Sequence, residues 1–239
     1  MIDAIFFDWD GTLMDDESSC RRAVLATSNS ICQRLPGVDG EVLLVAYYKA
    51  AEEIWDQIKN TQTAPWGNMD DYGVACRVWN RVIERLRLSV DGLGLDPATI
   101  WTGVRQYDVP IFDDVIPCLD ALRGHYRLGV VTNGSIATHL PKIEVSGLRD
   151  YFASITTTDI GAAKPCGAIF AHALESLDTT PTHALYVGDW PFGDVGGANR
   201  AGMTSVWLNR RKSQLTGDDP VPDLEIRSLD ELTEAIKGL

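Results

Sequence analysis

Residues 5–15, IFFDWDGTLMD, decide how this chain folds, because an apolar run ends there in two aspartates. The apolar part is typical of a strand that is buried on both faces of a sheet. Asp8 and Asp10 follow it two residues apart, so an extended chain would point both side chains the same way. Like charges that close repel each other unless something positive lies between them. The stretch therefore predicts a buried strand that ends at a binding site.

Four more apolar runs have the length of a strand, and several of them end in polar residues. They are YRLGVVTN (126–133), YFASITT (151–157), HALYVGD (183–189) and TSVWLN (204–209). These runs lack the in/out alternation of a half-exposed strand, which favours strands buried in a parallel sheet.

Helical patterns separate these strands. Apolar residues recur three or four positions apart in 115–122 and 169–177, and a Ser-x-x-Glu capping box at Ser228 predicts a closing helix. Strands that alternate with helices are typical of an α/β fold. We predict a doubly wound, mostly parallel sheet.

The interval 16–108 breaks this rhythm. Its segments 42–58 and 74–88 place apolar residues on one helical face, 23–35 is a weaker helix, and 61–68 and 92–97 are turn-rich loops. We expect two domains: a core made of residues 1–15 and 109–239, and an inserted helical domain made of residues 16–108.

Composition limits the function classes. The chain has 239 residues, of which 45% are hydrophobic, so a sizeable core is expected. Five scattered cysteines without a C-x-x-C pair indicate the reducing cytoplasm. A formal charge of -13 opposes nucleic acid and anionic membranes as partners. No signal peptide is visible, and no apolar run reaches the roughly 18 residues of a membrane span.

The polar residues at the strand ends predict one shared site, because ligands of open α/β sheets bind beyond the carboxyl ends of the strands. These residues are Asp8, Asp10, Thr132, Asn133, Asp189 and Asp194, and Lys164 follows the third strand. Several carboxylates in one place need a hard cation with oxygen ligands, which indicates Mg²⁺. A lysine and a hydroxyl beside them complete a pocket for an anion such as a phosphoryl group.

In their order and spacing, these residues resemble the four motifs of haloacid dehalogenase superfamily phosphatases. DWDGT (8–12) is similar to the first motif, Thr132 in VVTNG to the second, Lys164 in AKP to the third, and Gly188-Asp189 with Asp194 to the fourth. The helical insertion resembles the C1-type cap of that family. The resemblance implies a Rossmann-like core with a cap that sets specificity.

The resemblance also implies residue roles. Asp8 would be the nucleophile that forms an aspartyl-phosphate. Asp10 would protonate the leaving oxygen and then take a proton from water. Lys164 would stabilise the nucleophile and the developing charge.

The remaining motif residues would bind phosphate or metal, or support those that do. Phosphate would be held by Thr132, Asn133 and Gly134. Mg²⁺ would be held by Asp8, the backbone carbonyl of Asp10, and Asp189. Thr12 would be a supporting residue, and Asp194 would anchor either Lys164 or a metal-bound water.

Several alternatives remain open. Asp10 favours phosphate-ester hydrolysis over dehalogenation and phosphonate cleavage, but a phosphomutase would keep this residue, and a non-catalytic relative could bind ligands only. Thr132 and Asn133 could instead cap the next helix, and Asp194 could cap residues 195–201. The histidines show no metal-ligand spacing and are interpreted as structural or exposed; they are His125, His139, His172 and His183.

The segments VGDWPFGDVGGANRAGM and SVWLNRR resemble the branch that holds nucleotide monophosphatases and N-acylneuraminate 9-phosphatase, with the phosphoglycolate phosphatase branch close to it. This resemblance implies a small phosphorylated substrate, such as a sugar phosphate or a nucleotide monophosphate. The oligomeric state cannot be read from the sequence.

Overall fold

The computed structural model describes residues 1–60, 71–90 and 94–238. The predicted loop at 61–68 and the first two residues of the loop at 92–97 lie outside the described residues. The chain forms two compact units: Met1–Asp15 with Pro110–Leu239, and Asp16–Val109. Within the described ranges, no helix has both the length and the apolar character needed to cross a membrane.

The first unit is built on a six-stranded sheet. Its strands are β1 (Ala4–Phe7), β2 (Arg127–Val131), β3 (Ser154–Thr156), β4 (Ala184–Gly188), β5 (Thr204–Leu208) and β6 (Leu224–Ile226). They are ordered β3-β2-β1-β4-β5-β6, and every neighbouring pair is parallel. This is the strand order of a doubly wound fold, so the predicted fold class is confirmed. The sequence interpretation had missed β6.

The helices divide between the two units. The second unit contains α1 (Asp16–Arg34), α2 (Gly40–Asn60), α3 (Asp71–Leu86) and α4 (Pro97–Tyr107). The first unit contains α5 (Val115–Leu122), α6 (Ile136–Val145), α7 (Gly167–Ser176), α8 (Gly196–Ala201) and α9 (Leu232–Ile236). The predicted closing helix starts as a 3-10 turn at Leu229–Glu231, in which the Ser228 hydroxyl accepts a hydrogen bond from the Asp230 N–H, and continues as α9.

The central strands pack in an apolar core. All four residues of β1 are fully buried, and Phe6 packs in one cluster with Val131, Phe170 and Tyr186. Burying one such side chain contributes about 1.5–3 kcal/mol. The register pairs Phe7 with Val187 of β4, and the Asp8 N–H extends this pairing by donating to the Val187 carbonyl over 2.9 Å. Core packing therefore fixes where the first aspartate emerges from the sheet.

The second unit has a helical core of its own. Leu43, Tyr47 and Trp79 are buried in it, and the rings of Tyr47 and Trp79 lie 5.0 Å apart. Helix α4 begins at Pro97, inside the predicted loop at 92–97, and the Asp96 carboxylate caps it by accepting from the Ala98 N–H. Proline is favoured in the first turn of a helix, because the N–H that it lacks has no partner there.

Candidate active site

Asp8 lies at the carboxyl end of β1 and is only 6% exposed. One of its carboxylate oxygens accepts a hydrogen bond from the Lys164 ammonium over 2.5 Å. Burial raises the pKa of the Asp8 carboxyl well above its usual range, and the negative charges of Asp194 and Asp189 raise it further, although Lys164 opposes them. This end of β1 therefore presents an aspartate whose ionised form needs positive charge nearby.

Lys164 is a buried side chain that links several strand ends. Its ammonium donates to Asp8, to Asp194 over 2.7 Å and to the Tyr186 hydroxyl over 3.0 Å. Burial alone would lower the pKa of Lys164, but the carboxylates of Asp194 and Asp8 outweigh it and raise the pKa. At 3% exposure, Lys164 is a charged member of the site and not a surface lysine.

Asp194 is held in a π-helical turn, Pro191–Val195, that follows β4. One carboxylate oxygen accepts from Lys164, and the other accepts from the Trp190 N–H over 2.9 Å. Helix α8 has no side-chain cap, so Asp194 does not serve as one. Of the two roles considered for this residue, the geometry shows the contact with Lys164.

The carboxylates of Asp8, Asp189 and Asp194 offer oxygen atoms that all lie within 4.8 Å of one another. When these groups are ionised, three carboxylates and the Lys164 ammonium leave an excess of two negative charges. Oxygen donors with this charge suit a hard divalent cation such as Mg²⁺. The donor set therefore fits the predicted metal at Asp8 and Asp189.

Gly11 makes room for this cluster. Its φ of +84° is a conformation that side chains rarely adopt, and a Cβ atom there would lie 2.6 Å from a carboxylate oxygen of Asp189. The turn from Trp9 to Met14, in which the Trp9 carbonyl accepts from the Met14 N–H over 3.0 Å, needs glycine at this position.

The loop that follows β2 lies beside the loop that carries Lys164. Asn133 accepts a hydrogen bond from the Lys164 N–H over 2.8 Å, and its amide nitrogen donates to the Lys164 carbonyl over 3.2 Å. Thr132 is 1% exposed, and Gly134 has a φ of +118°. The cap of α6 is Ser135, whose hydroxyl accepts from the Thr138 N–H, so Thr132 and Asn133 do not cap this helix.

Asp10 is not among the three clustered carboxylates. Its side chain is 30% exposed, and its oxygens lie 3.8 Å from the Lys142 ammonium and 4.0 Å from Nε2 of His139. Only the backbone carbonyl of Asp10 was expected to bind metal, and that expectation stays a prediction.

Thr12 occupies a fully buried position behind the motif. Its carbonyl accepts a hydrogen bond from the Arg210 guanidinium over 3.1 Å. Within the described part of the chain, its hydroxyl makes no hydrogen bond. Thr12 is thus a buried residue of the turn that also contains Asp10 and Gly11.

The sequence analysis did not predict the contacts of three residues near the site. Tyr186 donates to the Val131 carbonyl over 2.9 Å and accepts from Lys164, and burial raises the pKa of its hydroxyl well above the usual value, as do the charges of Asp194 and Asp8. Lys142 drew no comment, and His139 was interpreted as structural or exposed. Strand and helix periodicity gives burial only, so no sequence signal marked these contacts.

Comparisons with known proteins identify the family of this chain. Residues 2–202 match the family model described as a haloacid dehalogenase-like hydrolase. The glyceraldehyde 3-phosphate phosphatase of Methanopyrus kandleri is 38% identical over 133 residues, which are 54% of this chain and 57% of that enzyme. The chain therefore aligns with just over half the length of this relative.

Two further relatives match along nearly their whole length. The N-acylneuraminate-9-phosphatase of Rattus norvegicus is 27% identical over 99% of this chain and 94% of its own. The crystal structure of YfnB from Bacillus subtilis, a putative hydrolase of the same superfamily bound to magnesium, superposes with a TM-score of 0.82 at 21% identity and 98% coverage of both chains. The family match covers most of the chain, and the chain belongs to the haloacid dehalogenase-like hydrolase family.

Proposed function

We propose that this protein is a Mg²⁺-dependent phosphatase that hydrolyses a small phosphorylated metabolite, a sugar phosphate or a nucleotide monophosphate, through an aspartyl-phosphate on Asp8. The observation that carries this proposal is the placement of Asp8 between Lys164 and two further carboxylates with an excess of two negative charges. Relatives that cleave phosphate esters, described above, support the same reaction class.

In the first step, the Asp8 oxygen that is not bonded to Lys164 attacks phosphorus, and the bond from phosphorus to the leaving oxygen breaks. Asp10 gives its proton to that oxygen. Lys164 keeps Asp8 aimed, while Thr132, Asn133 and Gly134 hold the phosphoryl oxygens. A divalent cation held by Asp8, Asp189 and the Asp10 carbonyl would offset the charge of the transferring group.

In the second step, water loses a proton to Asp10 and attacks phosphorus, which releases inorganic phosphate and restores Asp8. Splitting one difficult displacement in this way gives two easier ones. Asp194 keeps Lys164 in place through both steps by its 2.7 Å contact.

We assign the two compact units different tasks in this proposal. The first unit carries the chemistry, and the helical unit, residues 16–109, acts as the C1-type cap that selects the substrate. We place the enzyme in the cytoplasm, where its five free thiols stay reduced. The acidic charge of the chain argues against nucleic acid as a partner.

The test is phosphate release from sugar phosphates, nucleotide monophosphates and p-nitrophenyl phosphate, with Mg²⁺ or with a chelator. Asp8→Asn keeps the size of the side chain and should lower kcat by several orders of magnitude. Asp218→Asn, the same change at an exposed position, should leave kcat unchanged. Full activity of Asp8→Asn, or of the wild type without metal, would contradict the proposal. Isomerised product in place of released phosphate would indicate a mutase.

A further inference from the structure

Helix α6 buries a cationic side chain beside Asp10 that the proposed reaction does not use. Lys142 is 1% exposed, and its ammonium lies 3.8 Å from one oxygen of the Asp10 carboxylate. Burying an ammonium group costs free energy, which nearby carboxylate and polar oxygens must offset. Lys142 therefore either serves a function at this position or lowers the stability of the fold.

His139 lies one helical turn earlier on the same helix and contacts the same carboxylate. Its Nε2 atom is 2.8 Å from the Asn133 carbonyl and 4.0 Å from the other oxygen of Asp10. Because a carbonyl only accepts, Nε2 carries a hydrogen in this contact. The ring is thereby tied to the phosphate-binding loop.

Gly134 allows the ring to come this close. A Cβ atom at Gly134 would lie 2.5 Å from Nε2 of His139, and the positive φ of this residue disfavours any larger side chain. His139 is fully buried, so neighbouring atoms restrict its ring to this place. Asp10 thus faces two side chains from one turn of α6, each of which reaches one of its oxygens.

We propose that Lys142, supported by His139, is a positioning residue that holds the Asp10 carboxyl group in line with the leaving oxygen. This inference rests on the function proposed above, in which Asp10 gives and takes the proton. A general acid has to lie within hydrogen-bonding distance of the atom that it protonates. The Asp10 side chain is partly exposed, and its contact with Lys142 opposes rotation of the carboxyl group towards solvent.

A rival role for Lys142 is to supply positive charge to the phosphoryl group. The two roles differ in their dependence on the leaving group. Misplacing the general acid penalises esters with basic leaving oxygens most, because those oxygens need a proton in order to depart. Losing charge beside the phosphoryl group would slow all esters by a similar factor.

The experiment compares Lys142→Met with the wild type on phenyl phosphate and p-nitrophenyl phosphate, whose shapes are similar and whose leaving oxygens differ in basicity. We compare kcat/KM, which covers the steps up to departure of the leaving oxygen and excludes the later hydrolysis that both esters share. We expect kcat/KM to fall about 100-fold with phenyl phosphate, the usual cost of a misplaced catalytic group, and less than about 10-fold with p-nitrophenyl phosphate. Lys237→Met, the same change at a side chain that is 72% exposed, should alter neither rate.

The other outcomes are also decisive. An equal loss with both esters, or no loss, would overturn the positioning role while leaving the phosphatase intact. Absence of Asp8-dependent release by the wild type would instead defeat the proposed function. If Lys142→Met does not fold by circular dichroism, His139→Gln carries the test, because glutamine can still donate to the Asn133 carbonyl. This variant should show the same dependence on the leaving group with a smaller loss, and a uniform loss would overturn the inference.

Discussion

Replacing Lys164 by methionine tests whether the buried ammonium offsets the charges around it. The substitution keeps a long unbranched chain and removes hydrogen bonds of 2.5, 2.7 and 3.0 Å to Asp8, Asp194 and Tyr186. Removing one partner of a buried ion pair costs about 3–5 kcal/mol, since the other charge stays buried and unpaired. At about 2–4 °C per kcal/mol for a chain of this size, the melting temperature should fall by roughly 6–20 °C.

The assay is differential scanning calorimetry with a chelator present, and the exposed Lys237→Met variant serves as its control. Asp8 already has a raised pKa in the folded protein, so its ionised form opposes folding, and this cost grows as pH rises through the folded pKa. Without Lys164, the free-energy cost of ionising Asp8 should be larger. The difference in melting temperature between Lys164→Met and the wild type should therefore widen from mildly acidic to mildly alkaline buffer. Added Mg²⁺ should narrow the gap, because a cation binds the same carboxylates. If Lys164→Met and the wild type had the same melting temperature in the presence of chelator, this account of the cluster would be refuted.

Two further substitutions test the support of the site. Gly11→Ala would place a Cβ 2.6 Å from the Asp189 carboxylate. We expect the variant to fold and to need about 10- to 100-fold more Mg²⁺ for half-maximal activity. An unchanged Mg²⁺ requirement in a metal titration would contradict this expectation. Asp114→Asn breaks a largely buried bidentate pair with Arg210, at 2.7 and 2.8 Å, and should cost about 3 kcal/mol in thermal unfolding at neutral pH. Burial raises the pKa of Asp114, but the hydrogen bonds from Arg210, Leu229 and Ser228 together outweigh it and the net shift is downward, so this stability is present above the ordinary carboxyl pKa. It is lost as pH falls through the lowered value, and a difference that persists in strong acid would argue against the pair.

The sheet could be predicted because each buried strand carries its own sequence signal. Five apolar runs mark β1 to β5, and their order relative to the helices indicates parallel pairing. Strand β6 has three residues and follows a stretch rich in proline and aspartate, so no apolar run was long enough to mark it. Helix α4 carried a start signal in Asp96 and Pro97, which was interpreted as part of a loop.

The site could be predicted only where the positions of the functional residues relative to the strands can be recognised in the sequence. Asp8, Asp189 and Lys164 end or follow strands, so the parallel sheet brings them together without any further information. Tyr186 lies within β4, where periodicity indicates burial but cannot show that its hydroxyl meets Lys164. Lys142 is harder still, because a lysine on a short helix is usually solvated, and its burial depends on how α6 packs.

The two aspartates to which we assign catalytic roles have different surroundings, although only Trp9 separates them in the sequence. Asp8 pairs with a lysine that also binds Asp194, and this contact fixes the position of its carboxyl group and opposes the rise in its pKa that burial causes. In the proposed reaction Asp10 gives a proton and then accepts one, so it needs a position that suits both of its protonation states. Its carboxylate lies nearly 4 Å from Lys142 and from His139, which is beyond a direct hydrogen bond. Contacts of that length can orient the group without fixing a proton on it, and the dependence of Lys142→Met on the leaving group measures this difference.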